Sequence, residues 1–200
     1  MELTPKIERA LAVASRYPID LAHVRHVARL ADLLFGVFQP LHGLGERKRE
    51  LLACAALLHD IGVSAGASGH HLSSLRLILE ADLSPLSGEE KLVVANVARY
   101  HRKAHPSPKH EPFAALPPGD QEIVRRLAAL LRVADGLDRA HENAVERLAA
   151  APGSADSWTL SIDGPGDLEL AASGAARKAD LFEEVYGRSL RVEWARRPAP

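Results

Sequence analysis

In the stretch Leu51-Leu52-Ala53-Cys54-Ala55-Ala56-Leu57-Leu58-His59-Asp60-Ile61-Gly62, an unbroken apolar run leads into an imidazole, a carboxylate and then a glycine. A helix that is apolar all round has to lie inside a protein, so the rest of the chain must wrap around this one. Its end then carries two polar groups inward, where burial is costly unless something compensates them. A metal ion shared with other His and Asp side chains would do so. The remaining chain can therefore be searched for residues able to complete such a site.

Helical periodicity dominates the first three quarters of the sequence. Residues 5–16 place Ile7, Leu11 and Ala14 on one side. Asp20 reads as the N-cap of a long helix over residues 21–38, with Val24, Val27, Ala28, Ala31, Leu34, Phe35 and Phe38 on its buried face and His23 beside that stripe. The central helix spans residues 46–61, charged at first and apolar after Glu50. A small-residue loop, Ser64 to Gly69, leads to a helix opened by His70 and His71. Ser87-Gly88-Glu89-Glu90 is a capping box for a helix over residues 88–103 that ends near His101. Asp120 reads as the cap of another long helix, from which Asp135 projects on the apolar side, four residues after Leu131.

From about residue 152 the pattern changes to alternation. Trp158 to Ile162, Leu168 to Leu170 and Leu190 to Trp194 read as strands, with a helix near residues 175–187. The predicted fold is mainly α: a helical bundle over residues 1–150, a small C-terminal β-β-α-β appendix over 151–195, and a tail at 196–200.

Composition narrows the function classes. The 25 Lys and Arg against 26 Asp and Glu argue against general nucleic-acid binding. No run of about 18 apolar residues signals a membrane span, and the N-terminus lacks the apolar core of a secretory signal. The single cysteine, Cys54, forms no internal disulfide and fits a reducing, cytoplasmic setting. The histidines, ten in all, gather near predicted helix ends.

Five predicted elements carry a candidate ligand: His23, His59 with Asp60, His70, His101 and Asp135. A lone histidine on a helix is ordinarily just a hydrogen-bonded residue. An ordered set of His, then His-Asp, then a distal Asp requires several coincidences. Mixed nitrogen and oxygen donors suit Mn, Fe, Co, Ni or Zn, or Mg on the carboxylate side, as one ion or two. The basic residues Arg99, Arg102, Lys103, Lys109, Arg132 and Arg139 are candidates for holding phosphate. Arg102 and Lys103 directly follow His101 and Arg139 lies one turn past Asp135, which favours those three.

The ordered set resembles the HD superfamily of helical metal-dependent phosphohydrolases. More closely, the chain is similar to the helical C-terminal module of the exopolyphosphatase and guanosine pentaphosphate phosphohydrolase family. The resemblance rests on Asp20-Leu21-Ala22-His23, Leu57 to Gly62, Ser68-Gly69-His70-His71, Ala98 to Lys103, Leu130 to Arg139 and Leu181 to Arg188. It implies an HD-type bundle in which His23, His59, Asp60 and Asp135 hold a first ion. His70 and His101 occupy the places of second-ion ligands, with His71 as the alternative to His70. It also implies catalytic roles for His59 and Asp60. In the full-length family the polyphosphate-hydrolysing site is on two N-terminal actin-like domains with glycine-rich phosphate loops, so the resemblance leads us to expect any chemistry of this module to come from the HD site itself. Two functions are expected from the resemblance. One is a metal-dependent phosphomonoesterase or phosphodiesterase acting on a nucleotide or related phosphorylated metabolite. The other is a regulatory or dimerising module that binds polyphosphate or a guanosine alarmone.

Overall fold

The computed structural model describes residues 2–154 and 156–194. Its bundle is built around α4 (Glu46–Leu58), in which every residue from Leu51 to Leu58 is buried. Four helices surround it: α1 (Pro5–Ala14), α2 (Leu21–Val37), α6 (Gly88–Arg99) and α8 (Pro118–Leu137). The apolar run thus becomes the axis of the core. Cys54 lies within it, and burial pushes its thiol up to about 12. Single turns at α3 (Gln39–His42) and α7 (Glu111–Ala114) complete the connections, and α5 (His70–Glu80) packs on α6.

Local signals set most helix starts. Asp20 accepts the His23 N–H at 3.0 Å, and Ser87 and Glu90 form both halves of the capping box. Asp120 does not cap α8. The helix begins two residues earlier at Pro118, because a proline at the first position needs no N–H partner and its φ is already helical. The central helix also ends before residue 61, giving way after Asp60 to a 3₁₀ turn over Ile61–Ala65.

Among the described residues, three strands form a sheet in the order β1-β2-β3. The hairpin β1 (Arg147–Pro152) and β2 (Ser157–Asp163) is antiparallel, with Arg147 opposite Asp163 and Pro152 opposite Trp158. The last strand, β3 (Ser189–Trp194), runs parallel to β2, with Trp158 opposite Leu190. A parallel neighbour requires a crossover, supplied here by α9 (Glu169–Arg177) and α10 (Asp180–Tyr186). The β-β-α-β order is present, but two of its parts differ from the sequence expectation. Leu168 to Leu170 opens α9 rather than forming a strand, since the Asp167 side chain accepts the Glu169 N–H at 2.8 Å and starts a helical turn. The first strand instead lies at Arg147–Pro152, where three consecutive alanines hide any alternation of polarity. Residues 196–200, expected as a tail, lie outside the described residues.

Aromatic contacts join sheet and bundle. Phe38, after α2, meets Trp158 of β2 with ring centroids 5.6 Å apart and Phe182 of α10 at 4.8 Å. A closer junction forms where α9 crosses α8. There a side chain on Gly136 would come within 2.7 Å of the Gly174 carbonyl and 2.8 Å of the Ala175 Cα. Only glycine permits so close an approach. Among the described residues, no single helix is long and apolar enough to cross a membrane.

Candidate metal centre

Helix ends bring the histidines together. The residue that terminates α4 is His59, whose Nδ1–H donates to the Ala56 carbonyl at 2.7 Å. Just past α6, His101 makes the same contact with the Ala98 carbonyl at 2.7 Å. His70 opens α5 and donates from Nδ1 to the Ala67 carbonyl at 3.0 Å. In the first turn of α2, His23 Nδ1 lies 2.8 Å from Asp138 Oδ2. A carbonyl oxygen can only accept, so the first three rings carry a proton on Nδ1 and, when neutral, a lone pair on Nε2.

The four Nε2 atoms converge on Asp60. Its Oδ1 lies 3.2 Å from His70, 3.6 Å from His59 and 3.7 Å from His101, and its Oδ2 is 3.9 Å from His23. Asp135 Oδ1 adds a second carboxylate 3.6 Å from His23 and 4.0 Å from His59. Among the described residues, two ligand groups result: His23, His59 and Asp60, and Asp60, His70 and His101. Within each, the donor atoms lie within 4.8 Å of one another. Asp60 belongs to both.

Two observations bear on whether an ion fits. Among the described residues, His59 Nε2 is buried with no hydrogen-bond partner, a condition that costs about 1–3 kcal/mol. The Nε2 atoms of His70 and His101 face each other at 3.2 Å, which opposes two lone pairs when both rings are neutral. A divalent cation bound through nitrogen and carboxylate donors would satisfy all three nitrogens and both acids. The donor set therefore fits one.

Electrostatics keep the acids ready as ligands. Burial works against the Asp60 carboxylate, but His59, His70 and His101 outweigh it and hold the group below its usual range. Asp135 is likewise opposed by burial and held well below by His23, Lys178, His59 and His101. His23 loses by burial yet is raised to about 9 by Asp135 and Asp138. Its hydrogen bond to Asp60 raises His70. Complete burial, reinforced by the nearby His59, drives His101 well below the ordinary histidine value, so this ring is neutral.

The turn that aligns Asp60 with α5 is held by Ser74. Its hydroxyl donates to the His59 carbonyl at 2.6 Å and accepts the Gly62 N–H at 2.9 Å. A side chain on Gly62 would overlap the His70 carbonyl, so glycine is required for the two elements to meet.

Above these groups opens a cavity of about 490 Å³, lined by His23, Asp60, His70, His101 and Asp135 together with Val63, Ala67 and several basic residues. Arg102 sits at its wall, one guanidinium nitrogen 3.3 Å from His70 Nε2. Lys103 and Arg139 also line it. His71 stands outside both ligand groups, its ring centroid 6.3 Å from that of His70. Arg99 stacks on Tyr100 and Lys109 is exposed on the loop; neither lines the cavity. Arg132 lines it but is already engaged. Its guanidinium holds Asp180 through both carboxylate oxygens and donates to the Tyr100 and Lys103 carbonyls, so it positions the loop carrying Arg102 and Lys103.

Three participants were not anticipated from the sequence. Asp138, the partner of His23, could have been found, since it follows Asp135 by three residues and so falls on nearly the same helix face. His141 stacks on His23 at 3.8 Å with the rings 4° from parallel. Lys178, ion-paired with Asp135, reaches the site from beyond α9. Neither of the last two has a local signature.

Two curated proteins are similar to this chain over most of its length. Both are guanosine-5'-triphosphate,3'-diphosphate pyrophosphatases, from the classical Ogawa and El Tor Inaba strains of Vibrio cholerae serotype O1. Each is 29% identical over 183 residues, covering 91% of this chain and 35% of the relative. The chain thus spans about a third of the length of the curated relatives it matches. The family model for Ppx/GppA phosphatase, domain III, matches residues 7–169, from the first helix through the ligand-bearing helices to the start of α9. The chain therefore belongs to the Ppx/GppA phosphatase family, in the part corresponding to its domain III.

Proposed function

We propose that this protein is an HD-type metal-dependent phosphohydrolase acting on a phosphomonoester or phosphodiester of a nucleotide or related metabolite. The observation that carries this reading is the convergence of four Nε2 atoms on Asp60, three of their rings oriented by Nδ1 bonds to carbonyls. In this reading His23, His59, Asp60 and Asp135 hold a first divalent ion, and Asp60, His70 and His101 a second. Manganese, iron, cobalt, nickel, zinc and magnesium are the candidates. When bound, such an ion supplies Lewis acidity toward phosphoryl oxygens and lowers the pKa of a water.

The chain's own residues contribute the rest. Arg102, Lys103 and Arg139 at the cavity wall bind and orient the phosphate and offset negative charge that develops on its oxygens. Arg132, through the Lys103 carbonyl and Asp180, keeps that wall in place. Val63 and Ala67 give one side of the cavity an apolar lining.

The test is a screen of phosphomonoester and phosphodiester substrates with each candidate ion, comparing the parent with Asp60→Ala. Ion-dependent turnover that disappears in the variant supports the reading. No turnover with any ion, or equal turnover in both proteins, rejects it.

A second reading draws on the basic cavity wall together with the relatives' printed activity toward guanosine polyphosphates. The chain would then be a regulatory or dimerising module that binds polyphosphate or a guanosine alarmone without hydrolysing it. Binding that survives alanine replacement of His59 and Asp60, with no turnover, would favour it.

A further inference from the structure

Asp135 serves two partners at once. Its Oδ1 faces Nε2 of His23 at 3.6 Å and of His59 at 4.0 Å, while its Oδ2 is ion-paired with Lys178. Among the described residues, Lys178 is the one lysine or arginine ion-paired with either carboxylate of the site. It belongs to the appendix, directly after α9, and the backbone contact between Gly136 and Gly174 brings that helix against α8 beside Asp135. Lys178 also lines the cavity with Arg102 and Arg139, and its side chain is 20% exposed.

An ammonium and a divalent ion on opposite oxygens of one carboxylate repel each other, and the low dielectric of a buried site strengthens that repulsion. A lysine has a long flexible stem and need not stay. We propose that Lys178 is a resident counter-ion that the metal displaces. It neutralises Asp135 in the ion-free protein. Ion entry then frees its ammonium to take an anionic oxygen of the phosphorylated ligand at the cavity wall. Lys178 thus neutralises Asp135 without the ion and binds the phosphate directly with it, and the ion and the phosphate bind with positive coupling, which linkage makes reciprocal. The inference rests on the metal reading above.

Calorimetric titration with manganese and with inorganic phosphate tests it, with thermal unfolding to verify that each variant is folded. Lys178→Met should bind manganese about tenfold more tightly than the parent, and its manganese-loaded form should bind phosphate about tenfold more weakly. In the ion-free protein, Asp135→Asn should bind phosphate about tenfold more tightly than the parent, and the Lys178→Met/Asp135→Asn double variant should lose that gain. A parent that binds manganese while Lys178→Met binds it no more tightly overturns this inference alone. So does an Asp135→Asn variant with no gain in phosphate affinity. A parent that binds no manganese overturns the metal reading and this inference with it.

Discussion

The group of His23, His59 and Asp60 and the group of Asp60, His70 and His101 share a carboxylate, but their other members are held differently. His23 and His59 stand on α2 and α4 in the middle of the bundle, 1% and 0% exposed, and the Asp138 that orients His23 is itself buried. His70 is oriented by the Ala67 carbonyl, on a loop whose residues 64–69 are all exposed. Its helix packs chiefly on α6 and the 3₁₀ turn rather than on the central helices. A ligand set held from the core is organised before an ion arrives. One that hangs partly from a surface loop must be ordered by the ion, which weakens binding. Two ions of unequal affinity are therefore expected, the tighter one at His23 and His59.

Removing the shared carboxylate should abolish the contrast. Asp60→Asn is expected to lower manganese affinity at both positions by at least about 100-fold, the upper end of what loss of even an outer partner costs. Equilibrium titration would detect it, and one ion retained at parental affinity would show that Asp60 does not serve both groups. Asp138→Asn attacks the tighter group alone. It should cost about 10- to 100-fold there by freeing the His23 ring, and leave the weaker ion unchanged.

Acidity should weaken the same group by a graded amount. With its pKa raised to about 9, His23 is protonated at neutral pH in the ion-free protein and must release that proton to become a ligand. Affinity for the tighter ion should therefore rise with pH, by up to about tenfold per unit, and level off above pH 9. The binding heat should depend on the buffer's ionisation enthalpy, and a heat independent of buffer would exclude proton release. The smallest effect on the tighter ion is expected from His70→Ala. Elemental analysis should then find one ion where the parent holds two, with the remaining ion bound within about threefold of its parental affinity, because the sites share only Asp60.

The bundle was legible from sequence because its signals are local. Asp20, the Ser87/Glu90 pair and the apolar run from Leu51 to Leu58 each act over a few residues, and each appears in the structure with its expected role. The candidate ligands were legible for a related reason: each histidine marks the end or first turn of a helix, and helix ends are what such a bundle gathers around its core. The appendix was harder. In β1 the alanines carry no alternation, and the strand is defined by pairing with β2. Leu168 to Leu170 alternates, yet a single side-chain bond from Asp167 commits it to helix. The basic residues divide on the same principle. Arg102, Lys103 and Arg139 neighbour ligand residues in sequence and line the cavity. The uses of Arg132 and Lys178 depend on Asp180 and Asp135, 48 and 43 residues away in the chain, which no local pattern encodes.

The glycine pair at the crossing of α8 and α9 bears on how the two parts of the molecule stay in register. Side chains can change rotamer and let packed helices slide by fractions of an ångström, but main-chain atoms in contact have no such freedom. At Gly136 and Gly174 the separation of the helices is set by backbone against backbone. The interval between Asp135, one residue before the first glycine, and Lys178, four residues after the second, is therefore a property of the main chain. Alanine at either glycine would wedge the helices apart, and the pair of opposite charges would register that displacement before the hydrophobic core did.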